Sequence, residues 1–130
     1  MTQEFDVLII GSGLAGLTMA LQVADTKRVC IVSKREVSDS ASSWAQGGIA
    51  AVLNSEVNNE DSIEEHIQDT LIAGAGLCDT EITRLVATKA RESIEWLIDQ
   101  GVEFTREANN QALHLTREGG HSQRRIVPNC

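Results

Sequence analysis

FDVLIIGSGLAGLTMALQVADTKRVCIVS, residues 5–33, is the stretch that decides the fold. Residues 5–10 are rich in Val, Ile and Leu and stop abruptly at Gly11, which is typical of a buried strand in a parallel sheet. Residues 14–25 are mostly helix formers with leucines on one face, and 28–33 read as a second buried strand. Strand, glycine turn, helix and strand together predict a right-handed βαβ unit.

The turn GSGLAG at 11–16 matches the pattern G-x-G-x-x-G in the context that its mechanism requires, after a strand and at the start of a helix. Gly11 permits a tight turn, Gly13 lets a pyrophosphate approach the backbone, and Gly16 lets helix and strand pack closely. The free amides and dipole at the helix start favour phosphates. The pattern predicts a dinucleotide site; a glycine-rich corner without a ligand is the alternative.

The second strand ends in Ser33 and Lys34, where a site selective for NAD would carry an acidic residue to bind the ribose. Serine can still hydrogen-bond a hydroxyl group, and lysine can reach a phosphate or a ring carbonyl. These two residues therefore do not favour ordinary NAD binding. For Lys34, an ordinary surface charge stays open as an alternative.

The stretch SASSWAQGGIAA, residues 40–51, has neither the period of a helix nor the alternation of a strand. It lies in a long irregular segment, 34–60, of a kind that is usually functional or disordered. Part of 37–52 is predicted to hold a short helix, and 54–61 is predicted to be an exposed, mobile connection. Small side chains and adjacent glycines would let backbone amides lie against a ligand.

Two helices are predicted in the region 61–100. Ser62 and Glu65 form a capping box before an apolar stripe, and Asp79 is the expected N-cap of a helix over 80–99. The apolar face of this second helix comprises Ile82, Leu85, Val86, Ala90, Ile94 and Leu97. Short strands are possible at VEF and ALHLT beyond it, and His66 is expected on the surface of the first helix.

The composition limits the classes of protein to which the chain can belong. The chain has 130 residues, enough for one ordinary domain, and a formal net charge of −8, which argues against nucleic-acid or anionic-membrane binding. The sequence lacks a basic start before its first apolar run, and that run is too broken for a membrane span. Its three cysteines are far apart, which predicts reduced thiols in a cytoplasmic protein.

Charged side chains crowd the polar stretch near the C terminus. Two histidines and three arginines there suggest an anion site: His114, His121, Arg117, Arg124 and Arg125. No metal site is predicted, because further ligands at a sensible spacing are lacking. On these residues alone, Glu118 reads as a surface acid.

Five motifs together resemble the succinate dehydrogenase/fumarate reductase flavoprotein family, over about residues 5–127. They are DVLIIGSGLAG, SSWAQGGIAA, DTLIAGAGLCD, WLIDQGVEF and HLTREGGHSQRRI. The resemblance implies an α/β fold: a Rossmann-like FAD-binding βαβ unit with additional helices, in an incomplete, truncated flavoprotein domain. The segment 34–60 would hold the flavin-contacting loop, 61–100 the helices, and 101–130 the start of the substrate-site segment.

The cofactor implied is FAD. Taken with the glycine turn, the resemblance predicts contacts at Gly11, Ser12, Gly13, Leu14, Ala15, Gly16, Ser33, Lys34, Ala41, Ser42, Ser43, Trp44, Ala45, Gln46, Gly47 and Gly48. Several relatives bond the flavin covalently through a histidine just before an A-x-G-G motif. Ala41 stands at that position here, so FAD is expected to be held non-covalently.

Within the family, the resemblance is to the branch that oxidises L-aspartate to iminoaspartate in bacterial NAD biosynthesis, with oxygen or fumarate as electron acceptor. It implies that Glu118 lies beside the substrate amino group and orients it. Full-length members are several times longer, and their substrate arginine lies beyond residue 130. The chain alone is therefore expected to be inactive, to bind FAD weakly and to self-associate.

Two alternatives stay open. One is a fumarate reductase or succinate dehydrogenase flavoprotein, which Ala41 and Glu118 disfavour. The other is a non-catalytic, oligomerising domain that retains a dinucleotide turn.

Overall fold

The computed structural model describes residues 2–45, 47–53, 61–109 and 112–129. The chain divides into two compact units, Met1–Gln46 and Gly47–Cys130, and the boundary falls inside the predicted flavin-contacting loop. Most of the predicted mobile connection, 54–60, lies outside the described residues.

The first unit is the predicted βαβ unit. Strand β1 (Val7–Ile10) is followed by helix α1 (Leu14–Val23) and strand β2 (Val29–Val32). The strands are parallel, and their register runs from Val7 opposite Val29 to Ile10 opposite Val32. A 3₁₀ helix at Ala41–Trp44 confirms the short helix predicted in the irregular segment.

The strands of this unit are less buried than the sequence predicted. Leu8 is 63% exposed, Ile10 85% and Val32 50%. Helix α1 packs on the sheet and buries Ala20, but a two-stranded sheet with one helix has a single covered face among the described residues. The prediction of strands was correct, and the prediction that they are buried was wrong for this reason.

The second unit combines two helices with a small antiparallel sheet. Helix α2 spans Ile63–Ala73 and helix α3 spans Thr80–Asp99. The side chain of Ser62 accepts from the Glu65 amide at 3.1 Å, and Asp79 accepts from the Ile82 amide at 3.0 Å, so both predicted N-caps are confirmed.

The antiparallel sheet pairs β3 (Gly48–Ala50) with β4 (Ile126–Pro128). Neither strand was predicted, because three residues are too few for an alternating pattern. A side chain at Gly48 would collide with the Val127 carbonyl oxygen and with Ile126, so this glycine is required for the close approach of β4. The possible strands at VEF and ALHLT form isolated bridges instead, such as Phe104 with Asn129 and Leu113 with Arg106.

The core of the second unit is a cluster of Ala51, Ile94, Phe104 and Val127. Helix α3 contributes only the C-terminal part of its predicted apolar face. Ile82, Leu85 and Val86, in the first half of the helix, are each more than half exposed. In the described part of the chain, no helix is both long enough and apolar enough to cross a bilayer.

Candidate functional site

The glycine turn has the geometry that its sequence predicts. Gly11 adopts a left-handed φ of +106°, and its amide donates to the Val32 carbonyl at 2.8 Å, which joins the turn to the end of β2. A Cβ added at Gly16 would lie 2.5 Å from the Gly11 carbonyl oxygen and 3.2 Å from Ile9. Helix α1 can therefore approach the strand only because residue 16 is glycine.

The N terminus of α1 is open to a ligand. Its N-cap is Gly13, which has no side chain to cap the helix, and an added Cβ there would meet nothing nearer than Ser42 Oγ at 3.8 Å. The amides of Ala15 and Gly16 have no acceptor among the described residues. The Leu14 amide donates to Ser42 Oγ at 3.1 Å. Unpaired amides at a helix start are a site for an anion such as phosphate.

A cleft of about 460 Å³ opens at this turn, and we call it the glycine-turn cleft. Its lining comprises Gly11, Ser12, Ser33, Lys34, Arg35, Asp39, Ser40, Ala41 and Trp44. Six of these were predicted as FAD contacts from the sequence. Arg35, Asp39 and Ser40 were missed, because charged and polar residues in an irregular segment carry no periodic signal.

The loop beyond β2 is held in place by its own polar groups. Asp39 accepts from Trp44 Nε1 at 3.0 Å and from Arg35 Nη1 at 3.2 Å. Ser40 caps the 3₁₀ helix by accepting from the Ser43 amide. Trp44 lines the cleft and is 76% exposed, so it forms a wall of the site and does not pack behind it.

Other predicted contacts lie elsewhere. Ser43 and Ala45 are exposed and do not line the glycine-turn cleft, and Gln46 lies outside the described residues. Gly47 and Gly48 belong to the second unit. For Gly48, the contact with β4 accounts for the absence of a side chain without reference to a ligand.

These residues fit a dinucleotide cofactor. Unpaired helix amides suit a pyrophosphate, the Ser33 hydroxyl can accept from a ribose hydroxyl while it donates to the Arg35 carbonyl, and exposed Lys34 supplies a positive charge. Among the described residues, Lys34 forms no ion pair that would neutralise it. The side chain of Ala41 is a methyl group and offers no atom for a covalent bond to a flavin.

A second cleft, of about 740 Å³, lies in the predicted substrate segment of the second unit. We call it the arginine cleft; its lining comprises Asp61, His114, Leu115, Thr116, Arg117, Ser122, Gln123 and Arg124. Arg117 and Arg124 are exposed, and neither forms an ion pair with any described residue. Glu118 is exposed next to Arg117 but does not line the cleft.

The predicted anion site is smaller than the sequence suggested. Arg125 is fully buried, and its guanidinium group binds the carboxylates of Asp61 and Asp69 at 2.7 Å each. His114 Nδ1 lies 2.7 Å from Glu107 Oε1. Arg125 is therefore occupied by carboxylates within the protein, and Arg117 and Arg124 are the cations left for a ligand in the described part of this segment.

His66 was expected on the helix surface, and this expectation was wrong: the side chain is 8% exposed. Its ring lies 5.6 Å, centroid to centroid, from that of His121, and the Nδ1 atoms of both are buried without a hydrogen-bond partner. Burial, reinforced by the positive charge of Arg125 and by His121, lowers the pKa of His66.

The carboxylate of Asp69 anchors the segment that carries Glu118. Its Oδ2 accepts from the amide and the hydroxyl of Ser122, each at 2.7 Å. Burial alone would raise the pKa of Asp69, but the bonds from Ser122 and Arg125 outweigh it and lower that pKa overall.

Comparison with known proteins agrees with this geometry. Residues 6–130 match a family model described as FAD binding domain. Curated relatives include L-aspartate oxidase 1 of Ralstonia nicotianae, 59% identical over 95% of this chain, and L-aspartate oxidase of Vibrio cholerae, 54% identical over 95%. The chain spans 23% of the length of each of these relatives.

Solved structures give a similar picture. The chain is similar to the Sdh1 complex of Mycobacterium smegmatis, with a TM-score of 0.87 and 29% identity over 96% of this chain and 21% of that chain. It is also similar to the quinol fumarate reductase of E. coli, with a TM-score of 0.85 and 27% identity over 98% of this chain and 21% of that chain.

Proposed function

The chain belongs to the FAD binding domain family, whose cofactor is FAD, and we propose that it forms the nucleotide-binding part of an enzyme that oxidises L-aspartate to iminoaspartate. The observation that carries this proposal is the 47–59% identity to proteins named L-aspartate oxidase, over nearly the whole of this chain. The proposal also fits a glycine turn whose helix amides are open to a pyrophosphate.

When bound, FAD supplies a two-electron acceptor. We assign the pyrophosphate to the amides of Ala15 and Gly16, and a phosphate or ring carbonyl to Lys34. Because Ala41 offers no nucleophile, these contacts hold FAD non-covalently. The walls of the glycine-turn cleft fix the orientation of the bound dinucleotide.

The reaction removes two electrons and two protons from L-aspartate and leaves iminoaspartate; oxygen or fumarate accepts the electrons. The product would enter NAD biosynthesis in the cytoplasm. A dicarboxylate requires positive charge, and the exposed Arg117 and Arg124 supply it in the arginine cleft. Glu118 orients the substrate by accepting from its ammonium group, as a carboxylate can and a neutral side chain does less strongly.

The second candidate is oxidation of succinate or reduction of fumarate. The likeness to the solved Sdh1 complex and quinol fumarate reductase structures favours it, at 27–29% identity. Two residues disfavour it: Ala41 cannot bond a flavin, and Glu118 suits a substrate with an amino group. A non-catalytic, oligomerising role is the third candidate, and the exposed Leu8 and Ile10 favour it.

A chimera tests the proposal, because the chain spans 23% of its relatives. This chain replaces the matching segment of the Ralstonia nicotianae relative, and the purified chimera is mixed with L-aspartate or succinate without oxygen. We expect L-aspartate alone to bleach the visible flavin absorption, and this chain by itself to show no turnover. Bleaching by succinate and not by L-aspartate would contradict the assignment.

The matched variants Glu118→Gln and Glu103→Gln are made in this chimera. Both remove one negative charge from an exposed position in the same unit. Glu118→Gln is expected to raise KM for L-aspartate at least about tenfold, as expected for loss of a charge-assisted hydrogen bond. Glu103→Gln is expected to leave KM unchanged.

A further inference from the structure

We propose that Asp39 is a positioning residue of the glycine-turn cleft: its two carboxylate oxygens hold Trp44 and Arg35 as walls for a planar ring of the bound dinucleotide. The proposal rests on the proposed FAD binding. The charge of Asp39 is not expected to bind the cofactor directly, because its two carboxylate oxygens already accept hydrogen bonds from two other side chains.

The geometry divides the carboxylate between two partners. Oδ1 accepts from the Trp44 indole N–H at 3.0 Å, and Oδ2 accepts from Arg35 Nη1 at 3.2 Å. The main chain of Asp39 is fixed as well, since its amide donates to the Glu36 carbonyl at 2.9 Å. All three side chains, of Arg35, Asp39 and Trp44, line the same cleft as Ser12 and Lys34.

The arrangement contributes little to folding. The side chain of Arg35 is 71% exposed, that of Asp39 34%, and Trp44 as a whole is 76% exposed. Exposed ion pairs of this kind stabilise a fold only slightly, and an exposed ring gains little from burial. A large aromatic side chain that is held by its N–H group and left open on its faces is therefore better suited to a ligand than to the core.

The chemistry that such a ring recognises is another planar ring. Stacking on an aromatic side chain stabilises a bound base, and Arg35 adds a second planar, positively charged surface. FAD contains two planar systems, adenine and the isoalloxazine ring. Both satisfy this chemistry, and ligands that carry one ring each distinguish them.

The experiment titrates the purified chain in a Trp96→Phe background with FAD, ADP and riboflavin, and follows the fluorescence of Trp44 and the calorimetric heat. ADP carries only the adenine ring, and riboflavin only the isoalloxazine ring. We expect FAD and one of the two smaller ligands to quench Trp44. We further expect Asp39→Ala to weaken both of these interactions about tenfold, which corresponds to the loss of a hydrogen bond to a charged group.

Two variants separate positioning from charge. Asp39→Asn keeps an oxygen that can accept from the Trp44 N–H and is expected to retain affinity within about threefold. Glu36→Gln removes the same charge from the same loop and is expected to leave the affinity unchanged. The unfolding temperature of all three variants is expected to stay within about 2 °C of the parent, because the contacts are exposed.

A double-mutant cycle shows whether Asp39 acts through Trp44. Trp44→Phe keeps an aromatic ring but has no N–H group, so Asp39→Ala is expected to weaken FAD binding less in this background than in the parent, because only the part that acts through Arg35 is still lost. Equal FAD affinity of Asp39→Ala and the parent, or fully additive effects in the cycle, overturns the positioning role alone. Failure of the parent chain to bind FAD at any concentration up to its solubility overturns the FAD site and the positioning role together.

Discussion

Arg125 Nη1 lies 2.7 Å from Asp69 Oδ2, and this contact fastens the segment that carries Glu118 to helix α2. The same oxygen accepts from the amide and hydroxyl of Ser122, and the far side of the guanidinium group binds Asp61. A fully buried arginine is tolerated only because its Nε, Nη1 and Nη2 groups all donate to carboxylates. The exposed part of the segment, which includes Glu118, is thus anchored by this buried network of charged residues.

Asp69→Asn is expected to destabilise the second unit by about 3 kcal/mol, because it leaves part of a buried cation uncompensated. Urea unfolding followed at Trp96, which lies in α3, measures this in a Trp44→Phe background. Glu103→Gln removes one charge from an exposed position of the same unit and is expected to change the free energy of unfolding by less than about 0.5 kcal/mol. Equal stability of the two variants would show that the Asp69 contact does not hold the segment.

The βαβ unit could be predicted because all of its determinants are local. An apolar run, three glycines and a helical face lie within residues 5–33, and each agrees with the others. The caps Ser62 and Asp79 are local for the same reason, since each bonds an amide three residues ahead.

The charged network could not be predicted, because its partners are far apart in sequence. Arg125 pairs with Asp61 and Asp69, 64 and 56 positions away, and no local pattern distinguishes it from its exposed neighbour Arg124. His66 is buried beside His121, another residue far away in the sequence. The wall formed by Trp44 depends on a bond to Asp39, which the sequence shows only as one acid in an irregular segment.

The stability of the second unit is expected to fall as the pH drops below about 6.5, the ordinary pKa of histidine. Burial, followed by Arg125 and His121, lowers the pKa of His66, so the unfolded chain binds a proton at a pH where the folded chain does not. The contribution of His66 to the free energy of unfolding is fully present above about pH 6.5. As the pH falls further, it is lost by up to about 1.4 kcal/mol per pH unit until the pKa of His66 in the folded chain is reached.

Urea unfolding at intervals from pH 8 to pH 5 measures this loss. The slope of the free energy of unfolding against pH is expected to become shallower in His66→Met, which cannot take up a proton. It is expected to persist in His114→Gln, which removes a partly exposed imidazole. A slope that is identical in the parent and in His66→Met would exclude His66 as its source.

Gly13→Ala and Gly16→Ala are expected to fail in different ways. At Gly16 an added Cβ meets the Gly11 carbonyl oxygen at 2.5 Å, so Gly16→Ala should destabilise the first unit by at least about 1–3 kcal/mol through overpacking. At Gly13 the backbone has φ −73° and the nearest atom is 3.8 Å away, so Gly13→Ala should fold normally. Its methyl group would stand where a pyrophosphate approaches, and FAD affinity should fall at least about tenfold.

Circular dichroism measures the folding of the two variants and FAD titration measures their affinity, so together they distinguish the roles of the two glycines. Loss of folding without a specific loss of binding in Gly13→Ala would contradict the assignment of this residue to the phosphate. Unchanged stability of Gly16→Ala would mean that helix and strand can separate to admit a side chain.

FAD is expected to leave the protein on acid precipitation, because Ala41 provides no atom for a covalent bond. The chimera with the Ralstonia nicotianae relative, loaded with FAD, is precipitated with acid and its supernatant is measured for flavin absorption. We expect all of the flavin in the supernatant. Yellow colour in the washed pellet would show a covalent link and contradict this prediction.

The chain is expected to self-associate through the open face of its parallel sheet. Ile10 and Val32 are register partners and therefore point to the same side, where they are 85% and 50% exposed. Together with Leu8, which is 63% exposed, they form an apolar surface that a second copy can cover.

Ile10→Thr combined with Val32→Thr keeps residues that favour strands and adds two hydroxyl groups, so it should weaken association without unfolding the sheet. Light scattering after size-exclusion chromatography at several concentrations measures the mass, and Val37→Thr, an exposed valine outside the sheet, is the control. A monomeric mass for the parent at every concentration, or equal association of the parent and the double variant, would rule out this face as the contact.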